Sequence, residues 1–194
     1  MKTKTIILRQ FKECSKELQE TILNNYRDIN VEDVNIYENN DTHMQNLADK
    51  GFLNPTVYYD LSCCQGSGAC FVCSEFELNL LLENLEIKHK TWLINIIKNY
   101  CEIELKENHL ANFYTHENTV NFDIITYFQK DFKRIEKHID TIKNYIEKIR
   151  LEACGELYNN LSNDYDFLRS DEQVKETLIA NEYYFNEQGK IEEA

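Results

Sequence analysis

Residues 131–150 read DFKRIEKHIDTIKNYIEKIR, and they carry the strongest periodic signal in the chain. Apolar side chains recur there at alternating spacings of three and four residues, which places them on one face of an α-helix. We therefore predict a long helical segment at about residues 130–168, weakened or kinked at Gly155 because glycine is a poor helix former. The apolar series consists of Phe132, Ile135, Ile139, Ile142, Ile146 and Ile149, and it continues through Ala153, Leu157 and Leu161.

Two arrangements would bury this apolar series. The helix could lie across a sheet as part of the core, or the series could form the seam of a coiled-coil homodimer through residues 132–149. A coiled coil usually needs about three to four heptads, and the series covers fewer. We therefore favour the core helix and keep the homodimer as the alternative.

Strands are indicated in four places. Residues 101–105 and 120–124 alternate apolar and polar side chains, which is typical of strands with one solvent-exposed face. Residues 56–61 and 69–73 are rich in β-branched and aromatic residues. The glycine-containing turn between the last two predicts either a hairpin or a bend within one long strand. A further short strand could lie at residues 3–8.

Shorter helices are indicated by apolar spacing and by terminal signals. Residues 11–26 and 78–100 have helical spacing, and a short helix between Asp41 and Gly51 has a capping residue at each end. Capping boxes predict that further helices begin after Ser74 and after Ser170. The predicted fold class is α+β: a small, mostly antiparallel sheet of about four strands packed against several helices, with a long C-terminal helix.

The composition predicts one domain. The 194 residues include only one proline and five glycines, and no stretch resembles a flexible linker. A chain of this length can bury a sizeable core but has little room for two independent ones. We therefore expect residues 1–194 to form a single α+β domain.

The charge is strongly acidic. With 34 acidic and 21 basic residues, the net charge is -13, which repels a phosphate backbone and disfavours direct binding to nucleic acid. The same charge would attract a basic protein surface and speed the encounter with it. A plain alternative is that the acidity only keeps the protein soluble.

The apolar runs of the sequence indicate where the protein is located, and its cysteines indicate the redox state of the thiols. The start of the chain has no apolar run of the length found in signal peptides, and no segment is apolar enough to span a bilayer. We therefore expect a cytoplasmic protein that does not bind membranes. Its seven cysteines are expected to be reduced thiols or metal ligands.

Four cysteines crowd one segment and are the candidate metal ligands. Zinc is the metal that such spacing suggests, because the last two are separated by two residues. In a strand, however, side chains three residues apart point to opposite faces and cannot share a metal. We therefore expect no cofactor and interpret the thiols as small apolar core residues. The four are Cys63, Cys64, Cys70 and Cys73.

The turn between the two strands is a candidate binding site. The backbone amides of a glycine-rich turn can hold an anion, and aromatic and imidazole side chains elsewhere could complete a pocket. A cysteine and histidine pair could also form a nucleophilic site, but no local hydrolase signature supports one. We therefore expect a binding protein in preference to an enzyme. The candidate binding residues are Ser62, Gln65, Gly66, Ser67, Gly68, Tyr114 and His116.

The segment around this turn resembles a family of phage and prophage proteins. Residues 59–71 read YDLSCCQGSGACF, which is similar to the family's S-x-x-QGDG-A-x-F after a strand. Residues 113–119, FYTHENT, and residues 181–190, NEYYFNEQGK, are also similar. Ser67 stands where the family commonly has aspartate, so a role for that carboxylate does not carry over. The resemblance implies a mobile-element protein of low-GC bacteria, a class that often inhibits host defence.

These observations lead to one functional hypothesis and two alternatives. We expect an anti-defence protein, for example an inhibitor of a CRISPR effector, that binds the basic surface of a host protein. The first alternative is a protein or enzyme that binds a small molecule, such as a nucleotide signal, where Gln65 to Gly68 meet Tyr114 and His116. The second is a structural zinc module built from the crowded cysteines.

Overall fold

The computed structural model describes residues 7–31, 41–62, 66–107, 116–127 and 133–192. Within these ranges the chain forms six α-helices and nine short strands, so the predicted α+β class is confirmed. The helices are α1 (Lys16–Asn25), α2 (Asp41–Asp49), α3 (Leu78–Leu81), α4 (Lys90–Tyr100), α5 (Lys133–Leu168) and α6 (Asp171–Ala180). The strands are β1 (Arg9–Gln10), β2 (Phe52–Leu53), β3 (Thr56–Asp60), β4 (Gly68–Val72), β5 (Glu75–Phe76), β6 (Cys101–Glu107), β7 (Val120–Thr126), β8 (Tyr184–Phe185) and β9 (Ile191–Glu192).

The chain divides into two compact units. The first combines Met1–Ile36 with Asn163–Ala194, and the second is Tyr37–Ser162. The division falls inside α5, whose last residues are counted with the first unit. The prediction of a single domain stays a prediction.

The first unit contains a small antiparallel sheet with the order β1-β8-β9. Its core is apolar, and the rings of Phe11 and Phe185 meet edge to face at a centroid distance of 6.5 Å. Helix α6 begins as predicted, because the Ser170 side chain accepts a hydrogen bond from the backbone N–H of Gln173 at 3.4 Å. The buried members of this core are Phe11, Cys14, Ile22, Val174, Leu178 and Phe185.

The second unit contains three antiparallel pairs, namely β2 with β5, β3 with β4, and β6 with β7. The β3–β4 pair is a hairpin, which settles the choice between a hairpin and a bend. The predicted capping box after Ser74 is wrong. Residues 75 and 76 extend into β5 and pair with β2, and the helix begins later, where Glu77 caps α3 with its own carboxylate.

Helix α5 confirms the long C-terminal helix and alters its details. The helix is continuous through Gly155, so the expected weakening or kink does not interrupt it; this residue lies on the exposed face, where it needs no special packing. Ile149 is only half-buried, and the next buried position is occupied by Arg150. The buried isoleucines are covered within one chain, which favours the core helix over the homodimer, although the homodimer is untested. They are Ile135, Ile139, Ile142 and Ile146.

Two further sequence expectations concern the ends of the chain and membranes. The predicted strand at residues 3–8 lies largely outside the described residues, and β1 follows it directly. Among the helices that the structure describes, none has both the length and the apolar character required to cross a bilayer.

Candidate functional site

The predicted binding turn closes the β3–β4 hairpin. Asp60 pairs with Gly68, so the intervening residues form the loop. Ser62 is the second residue after β3; its backbone N–H donates to Asp60 Oδ1 at 2.8 Å, and the Ser62 and Ser67 hydroxyl oxygens lie 3.3 Å apart. Gly66 and Gly68 are buried. Gln65, Cys63 and Cys64 lie outside the described residues.

His116 begins a 3₁₀ turn at Glu117–Thr119. Its Nδ1 accepts a hydrogen bond from the backbone N–H of Asn118 at 3.2 Å, so the imidazole acts as the cap of this turn. This role holds one ring nitrogen as an acceptor. Tyr114, the predicted neighbour of this histidine, lies outside the described residues.

One contact connects the hairpin with the histidine segment. Thr119 Oγ1 donates to the His116 carbonyl at 2.7 Å and lies 3.4 Å from Cys70 Sγ on β4. The structure therefore brings the segment that begins at His116 against the strand that follows the glycine turn. The described residues place this meeting in the core, because Thr119 and Cys70 are both buried.

Arg150 anchors the same region from α5. Its guanidinium donates to the Glu117 carbonyl at 2.9 Å and to both carboxylate oxygens of Glu147 at 2.7 Å each. Burial opposes the charged guanidinium, but the hydrogen bonds and the charge of Glu147 raise the pKa of Arg150 above its ordinary value. The Arg150 cluster is thus a buried, charge-compensated contact between α5 and the 3₁₀ turn.

Three of the described cysteines, Cys73, Cys101 and Cys154, are poorly suited to act as nucleophiles. Burial raises the pKa of the Cys73 and Cys154 thiols to about 12, and it also raises the pKa of Cys101. These thiols are protonated at neutral pH, whereas a cysteine nucleophile must be a thiolate. Cys70 lies on β4 against Thr119, whereas Cys73 follows the end of β4 and borders a groove, so the strand periodicity does not apply to the pair. In the described ranges, no three His, Cys, Asp or Glu residues are grouped to hold a metal ion.

The second unit has an open groove of about 620 Å³ beside β6. Six consecutive residues of this strand, Cys101–Lys106, line it, so the groove follows the edge of the strand and not one of its faces. Both apolar and polar side chains complete the lining. The apolar ones are Val72, Phe76, Leu78 and Ile97, and the polar ones include Asn54, Thr56, Ser74 and Lys98.

The backbone pattern shows which groups of β6 face the groove. The backbone N–H of Tyr127 donates to the Tyr100 carbonyl at 3.1 Å, and the next residues in line, Cys101 and Thr126, are opposite each other. Hydrogen-bonded and non-hydrogen-bonded pairs alternate in an antiparallel ladder. The even-numbered residues of β6 therefore bond to β7, while the odd-numbered residues, including Ile103 and Leu105, direct their N–H and C=O groups to the other edge.

The two free edges of this ribbon differ. On β7, the outward N–H of Ile124 donates to the carboxylate of Asp123 at 2.7 Å, which occupies one donor of that edge. On β6, no second strand in the described part of the chain lies along the outer edge, to which Ile103 and Leu105 direct their backbone groups. An unpaired strand edge is a template for another extended chain.

Charged side chains flank the open edge. Lys106 forms an ion pair with Glu104, and Lys98 lies 3.9 Å from Glu77. The carboxylate of Glu102 accepts a hydrogen bond from the hydroxyl of Tyr127 and has no ion pair with a described cation. Glu102 is therefore a lining residue of the groove whose carboxylate forms no salt bridge with a described cation, although the charge of Lys106 acts on it.

A family model described as a domain of unknown function, DUF8835, matches residues 20–171. The chain belongs to the DUF8835 family. The matched residues of this DUF8835 chain include the hairpin, the Arg150 cluster and all of β6. No curated protein matches the chain, and neither does any solved structure.

The groove of this DUF8835 protein differs from the site indicated by sequence. Among the candidate residues that the structure describes, Cys73 lines it, whereas Ser62, Gly66, Ser67, Gly68, Cys70 and His116 do not. The groove residues Glu102, Ile103 and Glu104 were recognised only as part of an alternating strand. The signal that could have identified them is the pair of tyrosines at one end of the ribbon, Tyr100 and Tyr127, because tyrosine is enriched at binding surfaces.

Proposed function

We propose that this protein acts by binding a partner protein that carries a basic surface, and that it does so at the groove beside β6. The partner that fits the resemblance to phage proteins is a host defence enzyme, for example a CRISPR effector, in the cytoplasm. The observation that carries the proposal is the open edge of β6 together with Glu102, a carboxylate that forms no salt bridge with a cation among the described residues.

The charge and the aromatic side chains support the same proposal. A net charge of -13 steers a basic surface toward the protein and repels nucleic acid, which a nucleic-acid enzyme would otherwise bind. Tyr100 and Tyr127, which are 58% and 64% exposed, offer apolar contact area and faces for an arginine side chain. Exposed tyrosine next to carboxylate suits recognition of a basic partner.

The test is binding to a panel of nucleic-acid-cleaving host enzymes, measured by biolayer interferometry at rising salt. We expect at least one enzyme to bind, with an affinity that falls as salt increases, because the Debye length shrinks from about 10 Å at 0.1 M to about 3 Å at 1 M. Absence of binding, or binding that salt does not change, would refute the proposal.

A matched pair of variants locates the surface. The double variant Glu102→Gln/Glu104→Gln removes two charges at the groove, and Glu17→Gln/Glu20→Gln removes two exposed charges from α1 in the other unit. Both variants have the same net charge. We expect the groove variant to weaken binding about tenfold or more and the α1 variant to change it much less. Equal effects would show that total charge, and not the groove, drives association.

A further inference from the structure

We propose that the groove beside β6 takes an extended segment of the partner as an added β-strand, with basic and apolar side chains in alternation. This inference rests on the proposed function, since it specifies how the same groove recognises its partner. Its starting point is the row of outward-directed backbone groups on the odd-numbered residues of β6.

The backbone provides the sites for pairing. Ile103 and Leu105 each direct one donor and one acceptor to the edge, and the Cys101 carbonyl adds a further acceptor, whereas the Cys101 N–H already bonds to the Ile97 carbonyl. A buried or half-buried backbone group without a partner is costly, so an incoming strand would gain hydrogen bonds that this edge lacks. The six lining residues span roughly 20 Å, which fits an added strand of about six residues.

The side chains specify the alternation. Residues opposite each other in a sheet point to the same face. An incoming residue beside Ile103 or Leu105 would face the apolar part of the groove, near Phe76 and Leu78. An incoming residue beside Glu102 or Glu104 would lie on the wet face, where a lysine or arginine matches the carboxylates.

Two synthetic hexapeptides of equal composition test the idea. The first is Lys-Val-Lys-Val-Lys-Val and the second is Lys-Lys-Lys-Val-Val-Val, each with a fluorescent label, and binding to the full chain is measured by fluorescence anisotropy. We expect the alternating peptide to bind at least about tenfold more tightly, because only it can present both faces correctly. Equal affinities would overturn the added strand.

A proline on the protein side removes one edge donor. Ile103→Pro deletes an N–H that points away from β7, and proline is tolerated on an open strand edge. Ile103→Ala is the matched control, since it loses the side chain and keeps the N–H. We expect the proline variant to bind the alternating peptide about tenfold more weakly than the alanine variant. Equal binding by two variants with native circular dichroism spectra would overturn the proposal.

Backbone methylation of the peptide gives a test that does not depend on how the proline variant folds. An antiparallel added strand bonds through the valine amides, and a parallel one through the lysine amides. N-methylation of one set should therefore abolish binding, and N-methylation of the other should leave it within about threefold. If neither set matters while binding still depends on salt and on Glu102, the added strand is wrong and the proposed function stands. If neither the peptides nor the basic enzymes bind, both proposals fail.

Discussion

Arg150 and Glu147 form a two-pronged ion pair one turn apart on α5, with Arg150 Nε and Nη2 each donating to a carboxylate oxygen at 2.7 Å. The arginine side chain is 1% exposed and the glutamate side chain 35%. The cation is thus enclosed while its partner reaches water. The energetic cost of disrupting the pair should therefore depend on which side chain is removed.

Removing Glu147 should destabilise the protein more than removing both members of the pair. Glu147→Ala leaves a buried guanidinium with the Glu117 carbonyl and the weakly accepting Cys154 sulfur as its partners and no anion, which should cost about 2–3 kcal/mol. The double variant Glu147→Ala/Arg150→Met replaces the cation by an apolar side chain and should recover part of that loss. Urea unfolding followed by circular dichroism gives both free energies. A double variant less stable than Glu147→Ala would contradict the charge-burial explanation.

Gly155 offers a stabilising substitution. It lies on the exposed face of α5, and an added Cβ would meet no atom within 4 Å. Gly155→Ala should therefore raise the free energy of unfolding by about 0.5–1 kcal/mol, since alanine is the better helix former.

Gly51 is the matched control for that substitution. Its φ is +96°, and a Cβ there would lie 2.7 Å from the Glu77 carbonyl oxygen. Gly51→Ala should destabilise by more than about 1 kcal/mol, because both the backbone conformation and the space oppose a side chain. Thermal unfolding of the two variants should shift in opposite directions. A destabilised Gly155→Ala variant would show that the helix uses this glycine for packing.

The sequence predicted α5 because apolar periodicity depends only on local geometry. The prediction of the buried positions was wrong at one place for a physical reason. A series with alternating spacings of three and four residues follows a 3.5-residue repeat, whereas a straight helix has 3.6 residues per turn. After Ile146, the buried face therefore reaches Arg150 instead of Ile149. A buried arginine can be recognised only when its partners in the folded protein, Glu147 and the Glu117 carbonyl, are known.

The groove could not be predicted in the same way. Alternation in residues 101–105 indicates which side chains share a face of the strand, and this was confirmed. It contains no information about which edge is paired, because pairing depends on where β7 lies and on how the ladder begins at Tyr100 and Tyr127. The glycine turn was predicted as a binding site because of its composition, whereas the open edge of β6 consists of ordinary strand residues.

The buried thiol of Cys154 should make stability depend on alkaline pH. Its pKa is about 12 in the folded protein, against an ordinary value of 9.0, because burial disfavours the thiolate. The folded state then holds a proton that the unfolded state releases, so the contribution is complete below pH 9 and is lost as pH rises toward 12.

The variant Cys154→Ala should reduce that dependence. Any cavity it leaves lowers stability at every pH, so the informative quantity is the slope between pH 9 and 11. Titration of one thiol in the unfolded state contributes up to about 1.4 kcal/mol per pH unit, and the variant's slope should be shallower by roughly that amount. Urea unfolding at closely spaced pH values measures it. Parallel curves for the two proteins would show that this thiol ionises equally in both states.

The hydroxyl of Tyr127 reports on the charge of Glu102. Its hydrogen bond to that carboxylate raises the pKa of Tyr127 above its ordinary value of 10.0, because ionisation would remove the donor and bring two negative charges together. Glu102→Gln keeps an acceptor and removes the charge, so the pKa of Tyr127 should fall. The chain has 12 tyrosines, so the titration is best followed by NMR of ¹³C-labelled tyrosine, with Tyr127→Phe to assign the resonance. A Tyr127 pKa unchanged in Glu102→Gln would mean that the carboxylate lies elsewhere in solution, and the basic residue expected in the groove would then lack its anionic partner.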